Sequence, residues 1–336
     1  MGEEPPSLER IGFGPFFEAQ LDGVEGGRAP ARIAIAHGES YVAWTGAGVR
    51  KAVLVGRRAA SWQTPAERPQ VGDWVAGTDS AASGTLVIEH LLERRTCLVR
   101  RATGARAEAQ VIAANVDVVG IVSAFGGGKH EEQDRRLINE SQLRRYLAAV
   151  EQSRAKPVLV VNKSDLSPNP GAVAETLARL FPGVAVVITS VQRGVGVGQL
   201  QSCLARGQTL ALVGLSGVGK STLVNALLGR EAQQVGSVRQ RDARGRHTTS
   251  HRELFLTEAG TLLIDTPGMR EMDLWELDDV AAFDDVVALA AACRFSDCRH
   301  VTEPACAVHA AVEDGALSAE RLNAYRQRQQ PGRFRT

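Results

Sequence analysis

"VLVVNKSDLS" (residues 158–167) and "GLSGVGKST" (214–222) decide how this chain folds, and they stand in an unexpected order. The first is an apolar run ending in Asn162, Lys163 and Asp165, the pattern N-K-x-D. The second matches G-x-x-x-x-G-K-[ST] at Gly214, Gly219, Lys220 and Ser221. It follows the apolar run "TLALVG" (209–214) and opens the helical stretch "KSTLVNALLG" (220–229), the strand–loop–helix setting a phosphate cradle requires. A base-reading loop ordinarily follows the phosphate loop; here it precedes it by some fifty residues.

In such a cradle the backbone N–H groups turn inward around phosphates at a helix N-terminus. The expected contacts run through Gly214, Ser216, Gly217, Val218, Gly219, Lys220, Ser221 and Thr222. Lys220 would reach the β- and γ-phosphates, and the Ser221 hydroxyl would ligate Mg²⁺. "DTPG" (265–268) ends the apolar run "TLLID", so Asp265 can hold Mg²⁺ and the Gly268 N–H can face the γ-phosphate. Between the two lies the polar stretch "RGRHTTS", where either Thr248 or Thr249 can complete the Mg²⁺ shell while the γ-phosphate is present. Taken alone, D-x-x-G is more often a plain turn; its place downstream of a cradle is what gives it meaning.

The cradle alone allows ATPases, kinases and GTPases, and N-K-x-D separates them. A carboxylate at Asp165 can accept from guanine N1–H and N2–H₂, a donor pair that adenine lacks. Opposite adenine it would stand unpaired, at a cost of roughly 1–3 kcal/mol or more. The stem of Lys163 can lie along the base and Asn162 can tie the loop to its neighbours. Ser190, in "ITSVQRGVG" (188–196), can offer its backbone N–H to the guanine carbonyl. The competing reading is an ATP-dependent enzyme with an accidental N-K-S-D.

Continuous apolar runs at 116–124, 157–162, 184–189, 209–214 and 261–265 fit strands buried on both faces of a parallel sheet. "QLRRYLAAVEQ", "GAVAETLARLF" and "KSTLVNALLG" read as the helices between them. All site loops would then leave one sheet edge, where α/β folds bind ligands. Chain order can be rotated while the loops stay in place, giving a circularly permuted α/β P-loop domain over 109–276. "FGGGKHEEQD" (125–134) is too polar for core and reads as a loop.

Ahead of it, "ARIAIA", "KAVLVG", "VGDWVAG" and "GTLVIEHL" are short strands separated by turns. They predict a small β-barrel over 31–108, for which an OB-type barrel fits the length, as other small barrels would. Residues 1–30 read as a leader with one strand, "FFEAQL". At the other end, 277–336 reads as a small helical domain, from "DDVAAFDDVVALAAAC" and "ALSAERLNAYRQ".

That last domain encloses "CRFSDCRHVTEPAC" (293–306). Cys293, Cys298, His300 and Cys306 form a Cys₃His set suited to one structural zinc, with all four places filled and none left for activated water. His309 is an alternative to His300, though Cys298-x-His300 is the tighter chelate. The plain alternative is three core cysteines. Cys97 and Cys203 are single and read as core.

With 336 residues, 44% hydrophobic and 23% charged, the chain has the composition of a globular protein of two or three domains. The opening "MGEEPPSLER" is acidic, unlike a secretory or transit signal, and no run reaches the roughly 18 apolar residues of a membrane span, so a cytoplasmic monomer is expected. A net charge of +1 excludes no partner. Basic runs at 94–106, 239–247 and 325–336 are ordinarily solvated surface, with RNA contact as the functional alternative. Of five lysines (Lys51, Lys129, Lys156, Lys163, Lys220), two fall in the nucleotide motifs, where a compact ammonium is needed.

N-K-S-D, then G-L-S-G-V-G-K-S-T, then G-R-H-T-T, then D-T-P-G, with C-x4-C-x-H-x5-C behind, resembles the ribosome small subunit-dependent GTPase A family. The resemblance covers nearly the whole chain after residue 30; the first thirty residues and the basic tail match no motif. It implies an OB barrel, a permuted GTPase and a zinc domain. It implies also binding to the small ribosomal subunit and its rRNA late in assembly, with GTP hydrolysis to GDP stimulated by the subunit and used for release. A nucleotide-gated rRNA-binding adaptor with incidental hydrolysis is the other reading. Many GTPases orient water with a glutamine after D-x-x-G; Met269 stands there and its thioether cannot, so intrinsic turnover should be slow. The resemblance moves that role to His247, with Lys220 and Thr249 completing the catalytic set. Arg244 and Arg246 could add charge or touch RNA.

Overall fold

Burial on both faces of the central strands explains why these runs carry almost no polar residue. The computed structural model describes residues 7–22, 28–54 except 39, 62–101 except 63, 65 and 81–83, 109–126, 138–229 except 216, 252–265 and parts of 286–326. In strand β9 (Lys156–Asn162), Val158 and Val160 join one hydrophobic cluster while Leu159 and Val161 join another. Strands β8 (Val118–Ala124) and β11 (Thr209–Val213) divide in the same way. Each aliphatic side chain so buried contributes about 1.5–3 kcal/mol, whichever face it takes.

With β10 (Ala185–Ile188) and β13 (Leu262–Asp265), these strands form a parallel array in the order β10-β9-β8-β11-β13. Strand β12 (Glu253–Leu256) adds antiparallel to β13. Helices α2 (Glu140–Gln152), α3 (Pro170–Leu180), α4 (Val197–Ser202) and α5 (Lys220–Leu228) supply the crossovers. The first two begin on asparagines, Asn139 and Asn169, whose side chains accept from backbone N–H groups three residues on. Helix α2 buries Leu143, Tyr146, Leu147 and Val150, a single 3.6-period stripe.

Five earlier strands make the barrel: β1 (Ala29–His37), β2 (Ser40–Thr45), β3 (Gly48–Leu54), β4 (Trp74–Asp79) and β5 (Leu86–Leu91). Their order is β1-β2-β3-β5-β4, and β4 pairs back onto β1 to close the ring, the five-stranded arrangement of an OB-type barrel. Its interior holds Ala31, Ile33, Tyr41, Ala43, Ala52, Val75, Leu86 and Ile88, which in β1, β2 and β5 are residues two apart. The barrel is joined to the parallel sheet where β1 pairs with β12 at Ile35 and Glu253.

The leader differs from expectation. "FFEAQL" lies in helix α1 (Pro15–Leu21), not a strand. Pro15 presets the first helical φ, and Phe17 buries against Trp74, at 5.6 Å between centroids, while Phe16 stays exposed. Also unforeseen is a two-stranded sheet of β6 (Cys97–Arg101) and β7 (Ala109–Ala114), drawn partly from a run that reads as basic surface.

By packing, residues 1–275 form one compact unit and 276–336 another. Within the second, helix α6 (Ala307–Glu313) buries Val308 and Ala311 in a small cluster with Val286, Cys306, Leu317 and Leu322. The stretch 125–134 falls mainly outside the described residues, as does most of 278–293. Among the described residues no helix is long and apolar enough to cross a membrane.

Candidate active site and metal centre

Strand β9 ends at Asn162, and Lys163 leaves it in a left-handed conformation (φ 61°) that turns the chain into the short 3₁₀ segment Ser164–Leu166. Asn162 is 3% exposed, and its two amide atoms do different work. Nδ2 donates to Val218 O at 3.0 Å, while Oδ1 accepts from Thr189 Oγ1 at 3.0 Å. Lys163 Nζ donates to Gly217 O at 2.6 Å. Two consecutive residues of the base-reading loop thus hold two consecutive carbonyls of the phosphate loop. Chain order is reversed, yet the two loops interlock.

The phosphate loop needs backbone that ordinary residues resist: Gly214, Gly217 and Gly219 all have positive φ. Gly219 is where the two loops meet, since a Cβ there would lie 2.3 Å from Asn162 Nδ2. Gly219→Ala should therefore push the two loops apart and weaken nucleotide triphosphate binding by about tenfold or more, with the fold retained. Titration with a fluorescent nucleotide, beside a thermal melt, checks this; unaltered affinity would show that the interlock is dispensable.

Lys220 opens α5, is 7% exposed, and reaches back over the loop to donate to Gly214 O at 2.7 Å and Leu215 O at 2.6 Å. Helix α5 carries no side-chain cap at Gly219, so its first N–H groups and the positive end of its dipole face the loop. Ser221 and Thr222 lie in its first turn, and Asp265 ends β13, the strand beside β11. This arrangement can hold a polyphosphate, with a cation at its flank.

On the base side the geometry amends one expectation. The Ser190 N–H donates to Val195 O at 3.0 Å, and Val195 N–H returns to Ser190 O at 2.9 Å, closing the 190–195 loop by a β-bridge. That N–H is spent within the loop, and it is the Ser190 hydroxyl that meets Asp165. Oγ donates to Asp165 Oδ1 at 2.5 Å, which holds the Asp165 carboxyl below the ordinary carboxylate range, helped by the charges of Arg193 and Lys163. Asp165 is thus kept ionised, an acceptor only. Thr189, buried and fixing Asn162, carries no signal in the sequence beyond standing next to Ser190. Ser216, His247, Thr248, Thr249 and Gly268 lie outside the described residues, as do Arg244, Arg246 and Met269.

In the C-terminal unit the ligand atoms of Cys293, Cys298, His300 and Cys306 all lie within 4.8 Å of one another. A tetrahedral zinc sets neighbouring sulfurs about 3.8 Å apart, and nitrogen about 3.5 Å from sulfur. Cys293 Sγ and Cys306 Sγ are 3.8 Å apart, and His300 Nδ1 lies 3.6 Å and 3.4 Å from them. The donor set fits such an ion, with Nδ1 as the imidazole ligand. Desolvation and the neighbouring thiols of Cys306 and Cys293 push the Cys298 thiol up to about 11, a cost that a divalent cation relieves by binding thiolates. His309 is not part of the group; its Nε2 lies 3.0 Å from Val301 O and 2.5 Å from Arg326 Nη2.

Known proteins share this architecture. The profile of the RsgA GTPase family matches residues 91–275. The small ribosomal subunit biogenesis GTPase RsgA of Opitutus terrae is 41% identical over 331 residues, spanning 95% of this chain and 88% of the relative. Its namesake in Syntrophotalea carbinolica is 38% identical over 331 residues, with the same coverage of 95% and 88%. The crystal structure of YjeQ from Thermotoga maritima superposes with a TM-score of 0.52 at 26% identity, over 90% of this chain and 97% of that one. A base-reading loop that comes first in the chain, yet bonds to the phosphate loop in space, is thus carried on a protein that belongs to the RsgA GTPase family.

Proposed function

We propose that the protein is a GTPase acting in small ribosomal subunit biogenesis in the cytoplasm, with hydrolysis stimulated by the subunit and used for release. The observation that carries the nucleotide reading is the pair of bonds from Asn162 and Lys163 to the phosphate-loop carbonyls. They make one pocket of motifs that the chain presents in reverse. The relatives, which are small ribosomal subunit biogenesis GTPases, support the ribosomal part.

Asp165 reads the N1–H and N2–H₂ edge of guanine, and Ser190 orients it by its hydroxyl. The phosphate loop from Gly214 to Thr222 and the Lys220 ammonium receive the phosphates, once the lysine exchanges its loop carbonyls for phosphate oxygens. Ser221, Asp265 and one of Thr248 and Thr249 hold Mg²⁺, which when bound spreads the charge developing on the transferred phosphoryl group. Gly268 faces the γ-phosphate. His247 positions the attacking water, a task Met269 cannot perform by hydrogen bonding. Zinc on the Cys₃His set holds the C-terminal fold and does no chemistry, because no coordination place is left open.

His247→Ala is expected to leave GTP affinity within about twofold of wild type while subunit-stimulated turnover falls by about a hundredfold. Phosphate release measured with and without small subunits checks it. Undiminished stimulation in the variant would remove His247 from the mechanism, and stimulation absent from the wild type would overturn the ribosomal reading itself.

A further inference from the structure

Arg32, on barrel strand β1, is 2% exposed, and its guanidinium reaches four separate segments. Nη1 donates to Ile11 O at 2.5 Å in the N-terminal segment, and Nε to Gly72 O at 3.3 Å, just ahead of β4. Nη2 donates to Asn115 O at 3.1 Å, between β7 and β8, and to Thr209 Oγ1 at 2.8 Å. Thr209 begins β11, the strand whose other end becomes the phosphate loop. The guanidinium carbon also sits 5.7 Å from the centre of the Trp74 ring. A planar, five-donor group suits this junction as an ammonium would not.

The joint around it is tight, with backbone groups held by one another and by side chains. Ala114 N–H donates to Val71 O at 3.0 Å, and Asn115 Nδ2 to Gly72 O at 3.1 Å. Gly72 has φ 91°, and a Cβ there would lie 2.1 Å from Ala114 O. Thr209 N–H is held by Asp117 Oδ2 at 2.8 Å. Arg252, at the start of β12, donates to Val111 O at 2.9 Å. One hydrophobic cluster runs unbroken from Trp44, Trp74 and Ala76 of the barrel to Ile121, Val213 and Ile264 of the parallel sheet. Domains that reorient meet through surfaces that can slide; an interdigitated core with a buried charge is bistable at best and ordinarily fixed.

We infer that the barrel and the nucleotide-binding sheet turn as a single rigid body locked by Arg32, so that the nucleotide state is not signalled by a swing of one against the other. Arg32 acts here as a positioning residue for the root of the phosphate-loop strand. The inference concerns the free protein and holds whatever macromolecule the barrel touches.

Spin labels on non-natural residues at Lys51, exposed on β3, and Glu175, exposed on α3, test it with all cysteines left in place. The wild type should give one narrow distance peak, at the same position with GDP and with a non-hydrolysable GTP analogue. A resolvable shift or a second peak between the two nucleotides would overturn the rigid body. Arg32→Met should lose the single narrow peak, because the bonds to all four acceptors go at once and, among the described residues, only Gly72 O keeps a second donor, Asn115 Nδ2; an unchanged peak would remove Arg32 from the lock. If the methionine variant does not fold, Arg32→Lys, which keeps the charge but cannot reach all four acceptors, carries the same two outcomes.

Discussion

Asp165→Asn should convert a protein that prefers guanosine triphosphate into one that prefers xanthosine triphosphate. Ionised Asp165 offers only acceptors, matched by the N1–H and N2–H₂ of guanine. Asparagine offers one acceptor and one donor. Its amide NH₂ would face the guanine NH₂, donor against donor, but would face a carbonyl at the same position of xanthine. Leaving covered donors unpaired costs roughly 1–3 kcal/mol each, and sites built on such pairs discriminate by about 10⁴-fold. GTP affinity should therefore fall by about a hundredfold or more, and xanthosine triphosphate should overtake it. Ser190 can still donate to the asparagine oxygen, so the loop should keep its shape and the melting temperature should not move. Displacement of a fluorescent nucleotide by GTP, xanthosine triphosphate and ATP reads all three. Undiminished GTP binding, or ATP competing equally with GTP in the wild type, would sink the assignment of the base.

The second large effect is expected at the other end of the chain. Removing the metal with a chelator, or substituting Cys306→Ser, should unfold the C-terminal unit and leave nucleotide binding in place. The hydrophobic cluster of that unit centres on Val286, Cys306, Val308, Ala311, Leu317 and Leu322. A core of that size rarely holds sixty residues without a staple. Structural zinc in small domains contributes about 10–16 kcal/mol of apparent binding energy at neutral pH, and binding is folding there. Residues 1–275 pack as a separate unit with their own clusters, so their fold does not depend on the metal. Limited proteolysis should cut the chelated protein after about residue 276, with GTP affinity intact and subunit stimulation lost. Full protease resistance after chelation would reduce the four side chains to an ordinary packed group.

How much of this was legible from residues alone varied with the kind of signal. Strands buried on both faces write themselves as unbroken apolar runs, and β8, β11 and β13 stand within such runs, β9 adds only Lys156 at its start, and the edge strand β10 lies in one although only Val187 of it is fully buried. Barrel strands β1 and β4 alternate between the barrel interior and a second apolar cluster outside it, so each buries four residues in a row. Helix α1 reads as a strand because six residues hold too little period to separate the two, and its anchors, Trp74 against Phe17 and the Glu93 N–H on Gln20, are fifty-seven and seventy-three residues away in the chain. The Cys₃His group was legible because chelation demands short spacings. Arg32 was not: one arginine in an alternating strand looks like a solvent-facing residue, and its partners lie 21, 40, 83 and 177 residues off.

Residue order alone determined which chemical groups exist and where the chain bears them: G-x-x-x-x-G-K-S-T at 214–222, N-K-S-D at 162–165, and three cysteines and a histidine at 293–306. These are local properties, set by side-chain chemistry and spacing. Only the tertiary structure decided that the two nucleotide loops clasp each other, that the Ser190 N–H is already taken while its hydroxyl steers Asp165, and that the barrel is welded to the sheet through Arg32. Those outcomes depend on which donors and acceptors meet once water is excluded, and a linear pattern does not contain that pairing.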